Sequence, residues 1–231
     1  NCVRLPFNYR LIENAPEGYQ YFDKAFLWGE RYGIGIILDM HAACGAQNCD
    51  WHSDSLGRAQ LWEKEEFRDR MVALWQKVVT RYKHEEALIG YDLLNEPVLG
   101  GKSTNLLKKI YRTLIRRLKE IDRKHTYFLE GSLWSQRIDF LADILEENVS
   151  VSIHAYQPLP YTFNFVPFKS YPGLIQRQRW DRNALMKYLS GYAQFARKHN
   201  VDIFVGEFGI NWRGGHWGEC AYLRDILKAF H

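Results

Sequence analysis

IGIILDMH, residues 34–41, is a nearly unbroken apolar run that closes on a histidine. A strand with one wet face alternates apolar and polar residues, whereas a run of this kind is the pattern of a strand buried on both faces. Such strands belong to parallel sheets covered by helices, and the flanking sequence supplies both. Upstream, CVRLPF (2–7) is a short strand. It is followed by a helical stretch over 18–32, with apolar residues at Tyr21, Phe22, Ala25, Phe26 and Trp28. Downstream, a polar and aromatic loop over 42–62 leads into a helix over 64–82. The alternation then repeats. LIGYDLLNEP (88–97), TYFLEG (126–131), VSVSIHAY (149–156) and VDIFVGEFG (201–209) read as strands. Helices are expected over 103–125 with Ser103 as N-cap, more weakly over 135–147, over 181–199 and over 219–230. An aromatic loop runs from Tyr156 through Pro172.

Alternating strands and helices imply a parallel sheet. A doubly wound sheet often carries a glycine-rich phosphate turn after an early strand, and no G-x-G-x-x-G is present. A barrel instead gathers polar residues at the C-terminal ends of its strands. This sequence does so with Arg4, His41, Asn95-Glu96, His154 with Tyr156, and Glu207. The expected fold is therefore an α/β, (β/α)8 barrel forming a single domain over 1–231.

Composition narrows the function. Of 231 residues, 46% are apolar and 15% aromatic, with eight tryptophans. That is enough for a large core and for flat platforms against ligand faces. The net charge of +4 comes with no long basic run. The basic residues of 108–124 sit at helical spacing and read as a solvated face. A nucleic-acid partner is not expected. No run of apolar residues is long enough for a membrane span, and no cofactor motif is found.

Glu96 and Glu207 stand out, each closing a strand. Glycoside hydrolysis needs one carboxyl to protonate the leaving oxygen and a second to attack the anomeric carbon or activate water. In a closed barrel, strands three apart face each other across the mouth, which suits this pair. Any one strand-end group has about even odds of merely facing solvent. Five together make that reading weak. Asp39 and Asp92 lie earlier in their strands and are expected to be structural. Glu130 also sits at a strand end, and spacing does not separate it from the other two.

IGYDLLNEPV with VGEFG resembles the signature pair of glycoside hydrolase family 5, the cellulase-like retaining enzymes. VRLPF, ILDMH and HAYQP agree in order, and the loop HAACGAQNCDWHSDS is similar to loops of β-glucanase-like members. The resemblance implies Glu96 as general acid/base and Glu207 as nucleophile. It implies Asn95 as a hydrogen-bonding partner of the sugar hydroxyl beside the reacting carbon. Arg4 and Tyr156 would hold the nucleophile ionised and oriented, and His41 and His154 would line the cleaved-sugar subsite. The substrate would be a β-linked glucan-type or related oligo- or polysaccharide, and the setting secreted or periplasmic. The family barrel has eight strands and this sequence shows six. The first and last are missing, the last normally supplying a tryptophan, so a fragment of a longer enzyme is expected.

Trp51, Trp62, Trp134, Trp212 and Trp217 are candidate sugar platforms, as are Tyr161 and Phe163; Trp134 and Trp212 are placed in the binding set. Trp28 and Trp75 are expected in the core. Cys44 and Cys49 share a loop and could pair. With His41 and His52 they also form an H-x2-C-x4-C-x2-H cluster, which fits no standard zinc spacing. A truncated or non-catalytic glycan binder, or a metal-dependent hydrolase, are the alternatives.

Overall fold

The computed structural model describes residues 1–230, in two compact units that divide after Ile153. The first unit carries parallel strands β1 (Cys2–Asn8), β2 (Gly35–Ala42), β3 (Leu88–Asp92), β4 (Thr126–Glu130) and β5 (Val149–Ala155), adjacent in that order. The last two residues of β5 belong to the second unit. β2 is buried along most of its length, as its apolar run requires, and every residue of β5 is buried. Gly90 pairs with Thr126 of β4. A Cβ there would collide with the Thr126 carbonyl oxygen, so no larger residue fits the pairing.

The connections are α1 (Arg10–Glu13), α2 (Tyr19–Tyr32), α3 (Glu65–Tyr82), α4 (Thr104–Lys119) and a single turn α5 (Ser132–Ser135). α2 stops at Gly33, whose φ of 65° closes the helix in the left-handed conformation that glycine tolerates. The Ser103 hydroxyl caps α4 by accepting from the Asn105 amide. On α3, Met71, Leu74, Trp75, Val78, Val79 and Tyr82 form the buried stripe. Trp75 is fully buried as expected, and its indole N–H donates to the Leu93 carbonyl just beyond β3. Trp28 departs from expectation: it is 58% exposed on the outer side of α2.

No α-helix forms over 135–147. Leu133, Trp134 and Ser135 take positive φ of 55°, 54° and 59°, and a 3-10 helix follows at Asp139–Ile144. The buried residues Ile138, Leu141 and Ile144 recur every third position. That is the 3-10 period, not the α one.

The second unit holds the end of β5, α6 (Leu159–Thr162), an antiparallel hairpin of β6 (Gly173–Ile175) and β7 (Gln178–Trp180), α7 (Arg182–His199), β8 (Ile203–Phe208) and α8 (Glu219–Ala229). The Asp181 carboxylate caps α7 by accepting from the Ala184 amide, and Asn200 closes it at φ 49°. Tyr161, Tyr171, Ile175, Trp180, Leu185, Tyr222 and Ile226 build this unit's core. The hairpin was not expected from the sequence. Its turn residues Gln176 and Arg177 have positive φ without being Gly or Asn, so no turn signal announces it.

Candidate active site

In the first unit the polar strand ends gather around Arg4. Its guanidinium, with side chain 8% exposed, donates to Asp92 Oδ2 at 2.8 Å and Glu130 Oε1 at 2.7 Å, and lies 3.0 Å from Asp39 Oδ1. It also donates to Asn95 Oδ1 at 2.9 Å. All three carboxylates are fully buried. Burial pushes the Asp39 carboxyl above its ordinary range, against the opposing pull of Arg4 and of the His41 ring, whose Nδ1 lies 2.8 Å from Asp39 Oδ2. Asp39 and Asp92 lie fully buried, as their position early in the strands implies. Carboxylate oxygens of Asp39, Asp92 and Glu130 lie within 4.8 Å of one another and are a set able to hold a cation. The Arg4 guanidinium supplies the positive charge there.

β3 ends at Asp92, so the alternation that would point Asn95 and Glu96 apart no longer applies. Glu96 sits at φ 48°, a left-handed conformation unusual for a non-glycine residue. Its peptide is held from both sides. Glu130 Oε2 accepts from the Glu96 N–H at 2.6 Å, and Asn48 Nδ2 donates to the Glu96 carbonyl at 3.0 Å. Gln47 Nε2 donates to the carbonyls of His41 and Asn95, each at 2.8 Å. The Glu96 carboxylate lies 3.0 Å from His52 Nε2. Sequence reasoning misses Gln47 and Asn48, although it singles out the loop that carries them, and it names His52 only as part of the histidine and cysteine cluster. Buried side-chain amides that grip backbone leave no periodic signature.

Trp134 projects from the left-handed turn after β4, 39% exposed, with its indole N–H donating to Asp50 Oδ2 at 2.7 Å. That bond fixes the ring while part of it stays open. Trp51 is 88% exposed. Trp62 is not a platform: it is buried, and its N–H donates to the Gln47 and Val98 carbonyls.

In the second unit the Tyr156 hydroxyl donates to Glu207 Oε2 at 3.0 Å, and His154 Nδ1 lies 3.6 Å from the same oxygen. The Phe163 ring meets the Tyr156 ring edge-on at 5.1 Å. Trp212 is exposed on the loop after β8. Tyr161, expected on a sugar-binding wall, is instead fully buried and donates to the Trp217 carbonyl.

The histidine and cysteine loop is committed elsewhere. Cys44 and Cys49 are free rather than bridged. The buried Cys44 thiol faces Glu13 Oε1 at 3.7 Å, and burial pushes its pKa up to about 12.

Parallel strands alternating with helices, with polar side chains gathered at their C-terminal ends, define a barrel-type α/β protein. The family model Cellulase (glycosyl hydrolase family 5) matches residues 1–228. The chain belongs to glycosyl hydrolase family 5. It is 31% identical over 219 residues to a β-xylosidase of Phanerodontia chrysosporium, covering 90% of this chain and 44% of the relative. It is 25% identical to endoglucanase C of Acetivibrio thermocellus, covering 90% of this chain and 70% of that protein. A crystal structure of a glycoside hydrolase, 22% identical, superposes with a TM-score of 0.84 over 100% of this chain and 74% of its own. The fold is that of an incomplete (β/α)8 barrel. The chain spans less than half of the first relative's length and about 70% of the second's. Among the described residues, no helix is long and apolar enough to cross a membrane.

Proposed function

We propose that the protein is a retaining hydrolase of β-linked glycans, acting as a single catalytic domain, with Glu207 as nucleophile and Glu96 as acid/base. Glu207 attacks the anomeric carbon while Glu96 gives its proton to the departing glycosidic oxygen. Glu96 then takes a proton from water, which displaces Glu207 and releases the sugar with retained configuration. The observation that carries this reading is that each strand-end glutamate has its own polar partner, His52 for Glu96 and Tyr156 for Glu207.

The remaining residues fit supporting roles. Asn95 Nδ2 is a buried donor with no protein acceptor among the described residues. Such a group is costly unless a ligand or water oxygen satisfies it, which suits a bond to the sugar hydroxyl beside the reacting carbon. His41 and His154 would line the cleaved-sugar subsite, and Arg4 and Tyr156 would support the nucleophile. Trp134 and Trp212 offer ring faces to pyranose rings. The substrate we favour is a neutral β-linked glucan-type oligo- or polysaccharide, in keeping with relatives named endoglucanase and β-xylosidase.

Azide chemistry on the full-length protein tests the roles. In Glu207→Ala, azide fills the vacated space and attacks from the nucleophile's face, giving a glycosyl azide of inverted configuration. In Glu96→Ala, activated aryl glycosides still form the glycosyl-enzyme, and azide yields a product of retained configuration. The same configuration from both variants, or full activity in either, would overturn the assignment.

A further inference from the structure

The Glu96 peptide is gripped by two buried side chains, and neither belongs to the reaction as proposed. Glu130, fully buried at the end of β4, splits its carboxylate between two tasks: Oε1 accepts from Arg4 at 2.7 Å and Oε2 accepts from the Glu96 N–H at 2.6 Å. Tyr111, on α4, donates its hydroxyl to the Glu130 carbonyl at 2.9 Å and ties down the backbone behind it. Asn48, also fully buried, holds the Glu96 carbonyl. Between them Glu96 has φ 48°, a conformation that costs a non-glycine residue energy and persists only where its surroundings impose it. A charged acceptor on a backbone N–H makes a short, strong hydrogen bond, and here it acts on the residue whose side-chain aim matters most.

We propose that Glu130 is a positioning residue for the acid/base, with Asn48 as its counterpart on the carbonyl side. Their grip sets the left-handed backbone of Glu96 and so the line along which its carboxyl meets the leaving oxygen. This rests on the acid/base reading of Glu96. A small misplacement of a catalytic group is enough to cost about a hundredfold.

The test is Glu130→Gln in the full-length protein. The carboxamide has one acceptor oxygen where Glu130 uses two, so either Arg4 or the Glu96 N–H faces a donor. kcat/KM is measured on phenyl and 2,4-dinitrophenyl β-cellobiosides, because it reports the steps through glycosylation and only the phenyl leaving group needs protonation. We expect a loss of about a hundredfold on the phenyl substrate and less than about threefold on the dinitrophenyl one, with azide restoring kcat on the latter. Asn48→Ala should show the same split, at about tenfold on the phenyl substrate. Glu96→Ala calibrates the assay. If it shows no leaving-group dependence, the acid/base reading itself fails. If it does, and a Glu130→Gln protein with parental melting behaviour loses both substrates equally or neither, the positioning role is overturned. Should Glu130→Gln not fold, Asn48→Ala decides, and equal loss on both substrates or no loss refutes the proposal.

Discussion

Replacing Arg4 with methionine withdraws a guanidinium from among three fully buried carboxylates, those of Asp39, Asp92 and Glu130. Methionine preserves most of the aliphatic stem, so the loss is one of charge and hydrogen bonds. Hydrogen bonds to charged groups contribute about 1.5–3 kcal/mol each, which would put the three carboxylate contacts at roughly 5–9 kcal/mol. That is a ceiling, since a buried carboxylate stripped of its cation escapes part of the penalty by taking up a proton. Breaking a buried ion pair costs about 3–5 kcal/mol, and that is the deficit expected near neutral pH. Acidification should shrink it. Burial already holds the Asp39 carboxyl above its ordinary range, and Arg4, with the His41 ring, pulls it back down. Without Arg4 the folded-state pKa moves further above the unfolded one. A carboxyl raised in this way favours the folded state below its unfolded pKa, and that contribution is lost as pH rises through the folded value. The deficit relative to the parent protein should therefore be largest on the alkaline side of neutrality and decrease as pH falls through the window above the ordinary aspartate range. Urea unfolding followed by tryptophan fluorescence at several pH values measures it. A deficit below about 1 kcal/mol, or one that grows on acidification, would refute this account of the cluster.

Gly90→Ala should destabilise by at least about 1–3 kcal/mol in the same assay, because the added methyl meets the Thr126 carbonyl and the Phe128 ring inside the β3–β4 pairing. Leu133→Gly should act the other way. Leu133 is half-exposed at φ 55°, so glycine relieves strain of about 1 kcal/mol at little burial cost and raises the melting temperature by about 2–4 °C. A thiol reagent should label Cys2, Cys49 and Cys220 in the native protein and leave Cys44 untouched until denaturant is added; fast native labelling of Cys44 contradicts its burial.

What the sequence discloses and what it hides divide along a physical line. Periodicity is local, so strands buried on both faces and the stripe on α3 can be read from neighbouring residues. Strand-end polarity is nearly as local, which is why Arg4, His41, Asn95, Glu96, His154, Tyr156 and Glu207 are legible as a set. Partnership is not local. Arg4 meets Asp92, Asn95 and Glu130 across 88, 91 and 126 residues of sequence. Nothing near Glu130 says whether a strand-end carboxylate faces a substrate or the backbone of another loop, so spacing left it as a rival to the catalytic pair. In the structure its carboxylate accepts from the backbone N–H of Glu96, the proposed acid/base.

The backbone at these strand ends breaks local rules in a consistent way. Left-handed positions usually go to glycine or asparagine, and sequence reading relies on that preference. Gly33 and Asn200 obey it, closing α2 and α7. Glu96, Leu133, Trp134 and Ser135 violate it, and they lie beyond β3 and β4, where the proposed acid/base and ring platform sit. A glycine at Glu96 or Trp134 would be conformationally cheaper and would lack the side chain proposed for the site. The strain is therefore carried by long-range grips: Glu130 and Asn48 on the Glu96 peptide, Asp50 on the Trp134 indole, and the Ser152 carbonyl on the Ser135 hydroxyl. Conflict between local preference and observed backbone is expected where function sets the geometry. Here four such residues fall at the two strand ends that carry Glu96 and Trp134, while Ala46, Asp54, Gln176 and Arg177 break the preference elsewhere.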